Sequence, residues 1–211
     1  MREMDLILCL VADAEAAKGR SIISIIEKAV DAGVNLVQLR AKNLEMRDFL
    51  ALALQTSKVL DAKKTPLIIN DRVDIAQACG ASGVHLGQKD LPLPVARKIL
   101  GKNKKIGFTV NTLREALAAE AGGADYLGVG PVFSTPTKKE PRPVLGLPGL
   151  KAIREKIKIP ILAIGGINTS NARQVMECGV EGIAVVSAIM AAKDIRRAVK
   201  KIIEAMRCSE R

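Results

Sequence analysis

Tryptophan is missing from the 211 residues, histidine occurs once, and aromatic side chains make up 2% of the chain. Grooves that hold single-stranded nucleic acid stack bases on such rings, so that class of partner has almost nothing to bind to. No apolar run reaches the roughly 18 residues that cross a bilayer. Cys9, Cys79, Cys178 and Cys208 stand far apart and never form CxxC, which argues against a zinc site and leaves them as reduced, small core fillers. Neither GxGxxG after the first apolar run nor GxxxxGK[ST] occurs, so both common nucleotide fingerprints are absent. The opening "MREMDLILCLVADAE" has acids around a short apolar run and no small-residue cleavage site. It reads as a first strand and not a signal peptide, and the expected compartment is the cytoplasm.

What is present is a hydrophobic fraction of 48%, enough for the core of one α/β domain. The formal charge is +11. Nucleic acid, an anionic membrane or phosphorylated substrates each suit such a balance. Its densest cluster, "KDIRRAVKKIIEAMRCSER", repeats Ile195, Val199, Ile202, Ile203 and Met206 at helical spacing. Arg196, Arg197, Lys200 and Lys201 then become the solvated side of an amphipathic terminal helix. A basic nucleic-acid module remains the rival from another class, and steeply salt-dependent retention on DNA or RNA would reveal it. The expectation is none, and no membrane partner.

Strand-like runs fall at 5–12, 34–40, 66–70, 83–87, 105–110, 126–130, 160–165 and 182–187, and helical segments at 20–32, 45–63, 72–79, 92–101, 112–121, 148–158, 169–178 and 192–207. Regular alternation predicts a parallel sheet. "DAGVNLV", "ACGASGVHL", "EAGGADYLGV" and "ECGVEGIAVV" each set a glycine at a helix end before a strand, where a left-handed C-cap needs it. Eight such units in this length predict a single (β/α)8 TIM barrel domain over 1–211. The longest irregular stretch, 131–147, is rich in Pro, Thr, Lys and Gly; loops of that length in compact domains are usually functional.

In a barrel, catalytic groups belong at the C-terminal ends of the strands. There the sequence sets Gln38, Arg40 and Lys42, then Asn70 and Asp71, Gln88 and Asp90, Thr109, the loop "STPTKK", the glycines Gly165 and Gly166, and Val186-Ser187. Singly, each has an ordinary use: Arg40 and Lys42 as surface cations, Asp71 as an N-cap, Asp90 in a turn. Together they gather polar groups on one rim. Two carboxylates among cations suit magnesium shared with phosphate oxygens, and glycines after the seventh strand suit an anion. His85 lies inside "GVHLG" and reads as a packed, hydrogen-bonded histidine; with no second histidine, nucleophilic hydrolase chemistry has no foothold.

"QLRAK", "LIINDRVDIA", "GVHLGQKDL", "GVGPVFSTPTKK", "GLPGL", "AIGGIN" and "GIAVVSAI", in that order over residues 5–191, resemble the thiamine-phosphate synthase family. The resemblance implies a (β/α)8 transferase. It would join 4-amino-2-methyl-5-(diphosphooxymethyl)pyrimidine to 5-(2-hydroxyethyl)-4-methylthiazole phosphate, or its carboxylated form, releasing diphosphate. It implies that Gln38, Leu39, Arg40, Ala41, Lys42 and Asn70 hold the pyrimidine diphosphate and that Asp71 and Asp90 hold Mg2+. Thr109 would touch the pyrimidine and Lys138 the diphosphate. Thr135, Pro136 and Thr137 would line the thiazole phosphate site, completed by Gly166, Val186 and Ser187. Arg40, Thr109 and Lys138 would be its catalytic groups, acting in a dissociative reaction. Thr109 stands where the family more often has Ser, and Asn111 where a His is common. A tautomerase on the same scaffold is the nearer rival, although the histidine expected in that segment is absent. The oligomeric state, a homo-oligomer included, is left open.

Overall fold

Runs such as Leu67-Ile68-Ile69 and Ile161-Leu162-Ala163 are buried throughout, the pattern of parallel strands covered on both faces. The computed structural model describes residues 6–135 and 142–207. Its strands are β1 (Ile7–Asp13), β2 (Leu36–Arg40), β3 (Leu67–Asn70), β4 (Gly83–Leu86), β5 (Lys105–Val110), β6 (Tyr126–Val129), β7 (Ile161–Ile164) and β8 (Gly182–Val185). All pair in parallel with their sequence neighbours, and β1 also pairs with β8, which closes the barrel. The helices are α1 (Ile22–Asp31), α2 (Met46–Ala62), α3 (Val73–Ala78), α4 (Leu93–Leu100), α5 (Leu113–Ala121), α6 (Gly146–Arg154), α7 (Ala172–Met176), α8 (Ser187–Met190) and α9 (Ile195–Met206).

Strand alternation divides the core in two. Leu8, Leu10, Leu39, Ile69, Leu127 and Ile161 turn outward and pack under the helices. Cys9, Val11, Leu162 and Ala184 turn inward with Tyr126 and Ile164. Each fully buried Leu or Ile contributes about 1.5–3 kcal/mol, so the outer layer carries most of the stability and the inner one is free to carry polar groups. The amphipathic reading of the terminal helix is borne out: Ile195, Val199, Ile202 and Met206 are buried, while Arg196, Arg197, Lys200 and Lys201 are exposed. Gly33, Gly80, Gly123 and Gly179, the glycines of the four-fold echo, all have positive φ. Among the described residues, no helix is long and apolar enough to cross a membrane.

The differences from expectation lie at element ends and in one additional helical turn. β1 continues through Asp13, one residue further than the sequence suggested. α6 stops at Arg154, short of 158, because the Arg154 guanidinium donates to the carbonyls of Ile157 and Ile159 and holds that segment in a turn. α8 is a single turn that sequence periodicity cannot detect; Ile189 and Met190 bury it against the barrel. The terminal helix then starts at Ile195, capped by Asp194, whose carboxylate accepts from the Arg197 amide.

Candidate active site

The inward residues near the C-terminal ends of the strands enclose a cavity of about 140 Å³. A cavity of that size holds one aromatic ring. Val11, Leu162, Ile164 and Ala184 supply apolar wall, and Asp13, Gln38, Arg40, Asn70, His85, Thr109 and Thr135 supply polar wall. Gln38 and Arg40 face inward because they occupy alternate positions of β2. Leu39 and Ala41 belong to the outer core instead. Their side chains point away from the cavity, so any ligand contact there is through backbone.

Lys42 lies just beyond β2 and reaches Asp71, Nζ to Oδ2 at 3.1 Å. Asp71 does not cap α3, which corrects the capping alternative. The N-cap is Arg72, without a side-chain cap bond. Asp71 has φ +63°, and its amide donates to the His85 carbonyl at 2.9 Å. Its carboxylate lies close enough to Asp90 to act on that residue's protonation. Aspartate tolerates the left-handed φ better than most residues. Asp90 is anchored by the Gly87 amide at 2.7 Å. Its pKa is raised, first by burial and then by the Asp71 carboxylate beside it, with the Gly87 bond and Lys42 opposing. Among the described residues, no group of three or more His, Cys, Asp or Glu is arranged to hold a metal. A cation here would take these two carboxylates and find its other oxygens on substrate or water.

On the opposite side, Gly165, Gly166, Val186, Ser187 and Thr135 line the mouth. Gly166 has φ +67°, and a Cβ there would lie 2.6 Å from the Ser134 carbonyl and 2.7 Å from Phe133 Cβ, so the turn admits no side chain. Pro136, Thr137 and Lys138 lie outside the described residues.

Sequence reading passed over two polar wall residues, Asp13 and Tyr126. Asp13 is 3% exposed; it pairs with Arg40 and accepts from the Glu15 amide at 2.9 Å. An acid ending a strand was the available signal, but that strand was cut at residue 12. Tyr126 is partly buried, its hydroxyl beside the His85 ring; nothing in "ADYLGVG" distinguishes an inward tyrosine. His85 is packed and hydrogen-bonded as expected: Nδ1 lies 3.0 Å from the Tyr126 hydroxyl and Nε2 2.8 Å from Thr109 Oγ1. The Gln88 amide donates to the Thr109 carbonyl at 2.9 Å. Asn111 is buried and turned to the loop, donating to the carbonyls of Gly130 at 3.2 Å and Pro143 at 3.1 Å. Cys9 is enclosed, and burial pushes its thiol up to about 12, so it stays protonated and offers no nucleophile.

With that geometry in place, a profile of the family described as thiamine monophosphate synthase matches residues 8–189. The chain belongs to this family. It is accordingly a transferase of thiamine biosynthesis. A thiamine-phosphate synthase from Syntrophomonas wolfei is 50% identical over 202 residues, 96% of this chain and 97% of that one. Another from Clostridium botulinum is 47% identical over 201 residues, 95% of this chain and 98% of that one. The solved thiamine phosphate pyrophosphorylase from Pyrococcus furiosus superposes with a TM-score of 0.87 at 39% identity, covering 96% of each chain. For a thiamine monophosphate synthase family member, a ring-sized cavity beneath a rim of cations and paired acids is a coherent arrangement.

Proposed function

We propose that the enzyme joins 4-amino-2-methyl-5-(diphosphooxymethyl)pyrimidine to 5-(2-hydroxyethyl)-4-methylthiazole phosphate, or its carboxylated form, giving thiamine phosphate and diphosphate. The observation that carries this reading is that Asp71 and Asp90 lie close enough for one carboxylate to raise the pKa of the other, Asp71 directly following Asn70 in the wall of a ring-sized cavity. Two carboxylates held together repel unless a cation or a proton lies between them. Mg2+ bound there would supply charge to a departing diphosphate.

The chain's own residues divide the remaining work. The pyrimidine ring lies in the cavity, against Val11 and Ala184, with Gln38, Asn70 and Thr109 on its polar edges. Arg40, Lys42 and Lys138 neutralise the diphosphate as its carbon–oxygen bond breaks, a fixed electrostatic aid aimed at developing charge. The cation left on the pyrimidine methylene is delocalised by the ring amino group and captured by the thiazole nitrogen. Thr135, Gly166, Val186 and Ser187, with Pro136 and Thr137 by resemblance, hold the thiazole phosphate. No protein nucleophile or strong base is required, in keeping with a wall that has one imidazole.

The direct test is a coupled assay with both substrates and magnesium, read as thiamine phosphate. Formation at enzyme-dependent rates is expected. Isomerisation of the thiazole without any thiamine phosphate would instead identify the tautomerase.

A second expected result concerns protons. The raised Asp90 pKa means that a proton competes with magnesium for the pair, so apparent magnesium affinity falls as pH falls through the Asp90 range. The sign for stability is the reverse. Because the folded pKa lies above the unfolded one, Asp90 favours folding at low pH, and that contribution is lost as pH rises through the folded value. Magnesium should therefore raise the unfolding temperature most at neutral pH and least near pH 4, and scanning calorimetry with and without the ion measures it.

A further inference from the structure

The proposed function sets Thr109 against the pyrimidine, and a lone hydroxyl rotates freely unless a partner fixes its proton. The barrel interior provides one. Tyr126, His85 and Thr109 form a chain across three adjacent strands, with 3.0 Å from the phenol oxygen to Nδ1 and 2.8 Å from Nε2 to Oγ1. The two rings lie 5.4 Å apart between centroids, tilted by 42°. Both neighbouring strands leave out a side chain where these rings lie. A Cβ at Gly107 would sit 2.1 Å from Tyr126 Cζ and 2.5 Å from His85 Nδ1; a Cβ at Gly128 would sit 2.8 Å from His85 Cε1. Real Cβ atoms do not approach that closely, so the chain of polar groups depends on both glycines.

The direction of its protons follows from burial. The Tyr126 ring is partly buried and packs against the inner core, and desolvation raises its pKa well above the usual phenol value, so it keeps its proton. A buried donor left unpaired carries its full desolvation cost. Among the described residues, Nδ1 of His85 is the acceptor offered to it. A neutral imidazole that accepts at Nδ1 carries its own proton on Nε2. Thr109 Oγ1 then accepts from Nε2–H, and its hydroxyl proton is left to point into the cavity. Resting on the pyrimidine-transfer reading, we propose that His85, oriented by Tyr126, is a positioning residue that makes Thr109 a hydrogen-bond donor to an acceptor nitrogen of the bound ring.

A double-mutant cycle tests this. Tyr126→Phe keeps the ring and removes the phenol proton; His85→Ala removes the relay; Thr109→Val removes the hydroxyl. Tyr126→Phe and His85→Ala are each expected to lower kcat for thiamine phosphate formation by about tenfold, the scale of one hydrogen bond made in the transition state. In the Thr109→Val background, neither should lower it further. A merely structural role would lower kcat by the same factor in both backgrounds, and that result overturns the proposal. So does a Tyr126→Phe enzyme with the wild-type kcat, which, because the substitution conserves ring volume, serves as the folded control. A wild-type enzyme that makes no thiamine phosphate overturns the proposed function and this inference together. An active wild type with equal losses in both backgrounds overturns this inference alone.

Discussion

Asp71→Asn is expected to lower turnover by at least about a hundredfold, the scale of a lost electrostatic group at a developing charge, while the protein unfolds within about 2 °C of the wild type. Asparagine is the informative substitution because position 71 has φ +63°, a conformation asparagine shares with aspartate and alanine does not. Asp71→Ala should lose turnover equally but also lose about 1 kcal/mol of stability from backbone strain. Charge removal costs the fold little. The Lys42 partner is half-exposed, with 50% of its side chain accessible, and such pairs contribute about 0–1 kcal/mol. The same change relieves the repulsion on Asp90. Steady-state rates at saturating magnesium, beside thermal melts of both variants, separate chemistry from folding. Turnover within threefold of wild type in Asp71→Asn would remove the basis for placing a cation between the two acids.

Arg40→Met should damage both activity and stability. The Arg40 guanidinium pairs with Asp13, whose side chain is 4% accessible, while Arg40 itself keeps 21%. Removing the cation leaves a buried carboxylate without its counterion, which costs about 3 kcal/mol in such settings. Partial exposure of Arg40 brings the expectation to about 2 kcal/mol, or a fall of about 4–8 °C in the unfolding temperature. Turnover should fall by at least about a hundredfold as the diphosphate loses a fixed charge. Arg40→Lys should recover most of the stability and little of the rate. A lysine is a point charge, and it cannot hold Asp13 and a diphosphate oxygen at once with a planar fork. Recovery of both by lysine would show that charge alone, without guanidinium geometry, is what position 40 supplies.

Asp71 also shows how much of the site was legible in sequence. An acid ending the run Leu67-Ile68-Ile69-Asn70 is conspicuous because a doubly buried strand has no other reason to carry one. The same reasoning set Gln38 and Arg40 on one face of β2 by their period of two, and both line the cavity. It failed at Asp13, where a strand end was misjudged by one residue and a buried partner of Arg40 was missed with it. Leu39 and Ala41, named only through the resemblance, turn their side chains to the outer core, as the same period of two requires. The sequence also left open whether Asp71 was a cap, since capping and site roles differ by a backbone turn that no local pattern encodes.

Local composition sufficed for the barrel: alternating apolar runs, helical periods and a glycine before each of several strands leave few other ways to bury this chain. The same is true of the polar rim, because strand direction alone sends those residues to one end. Tertiary structure alone decided which side chains meet. Asp71 and Asp90 become neighbours through the loops after β3 and β4, and Tyr126, His85 and Thr109 meet because the parallel pairing of β4 with β5 and of β5 with β6 sets their register. Contacts between residues distant in sequence depend on strand register and backbone twist, which no short stretch of sequence specifies.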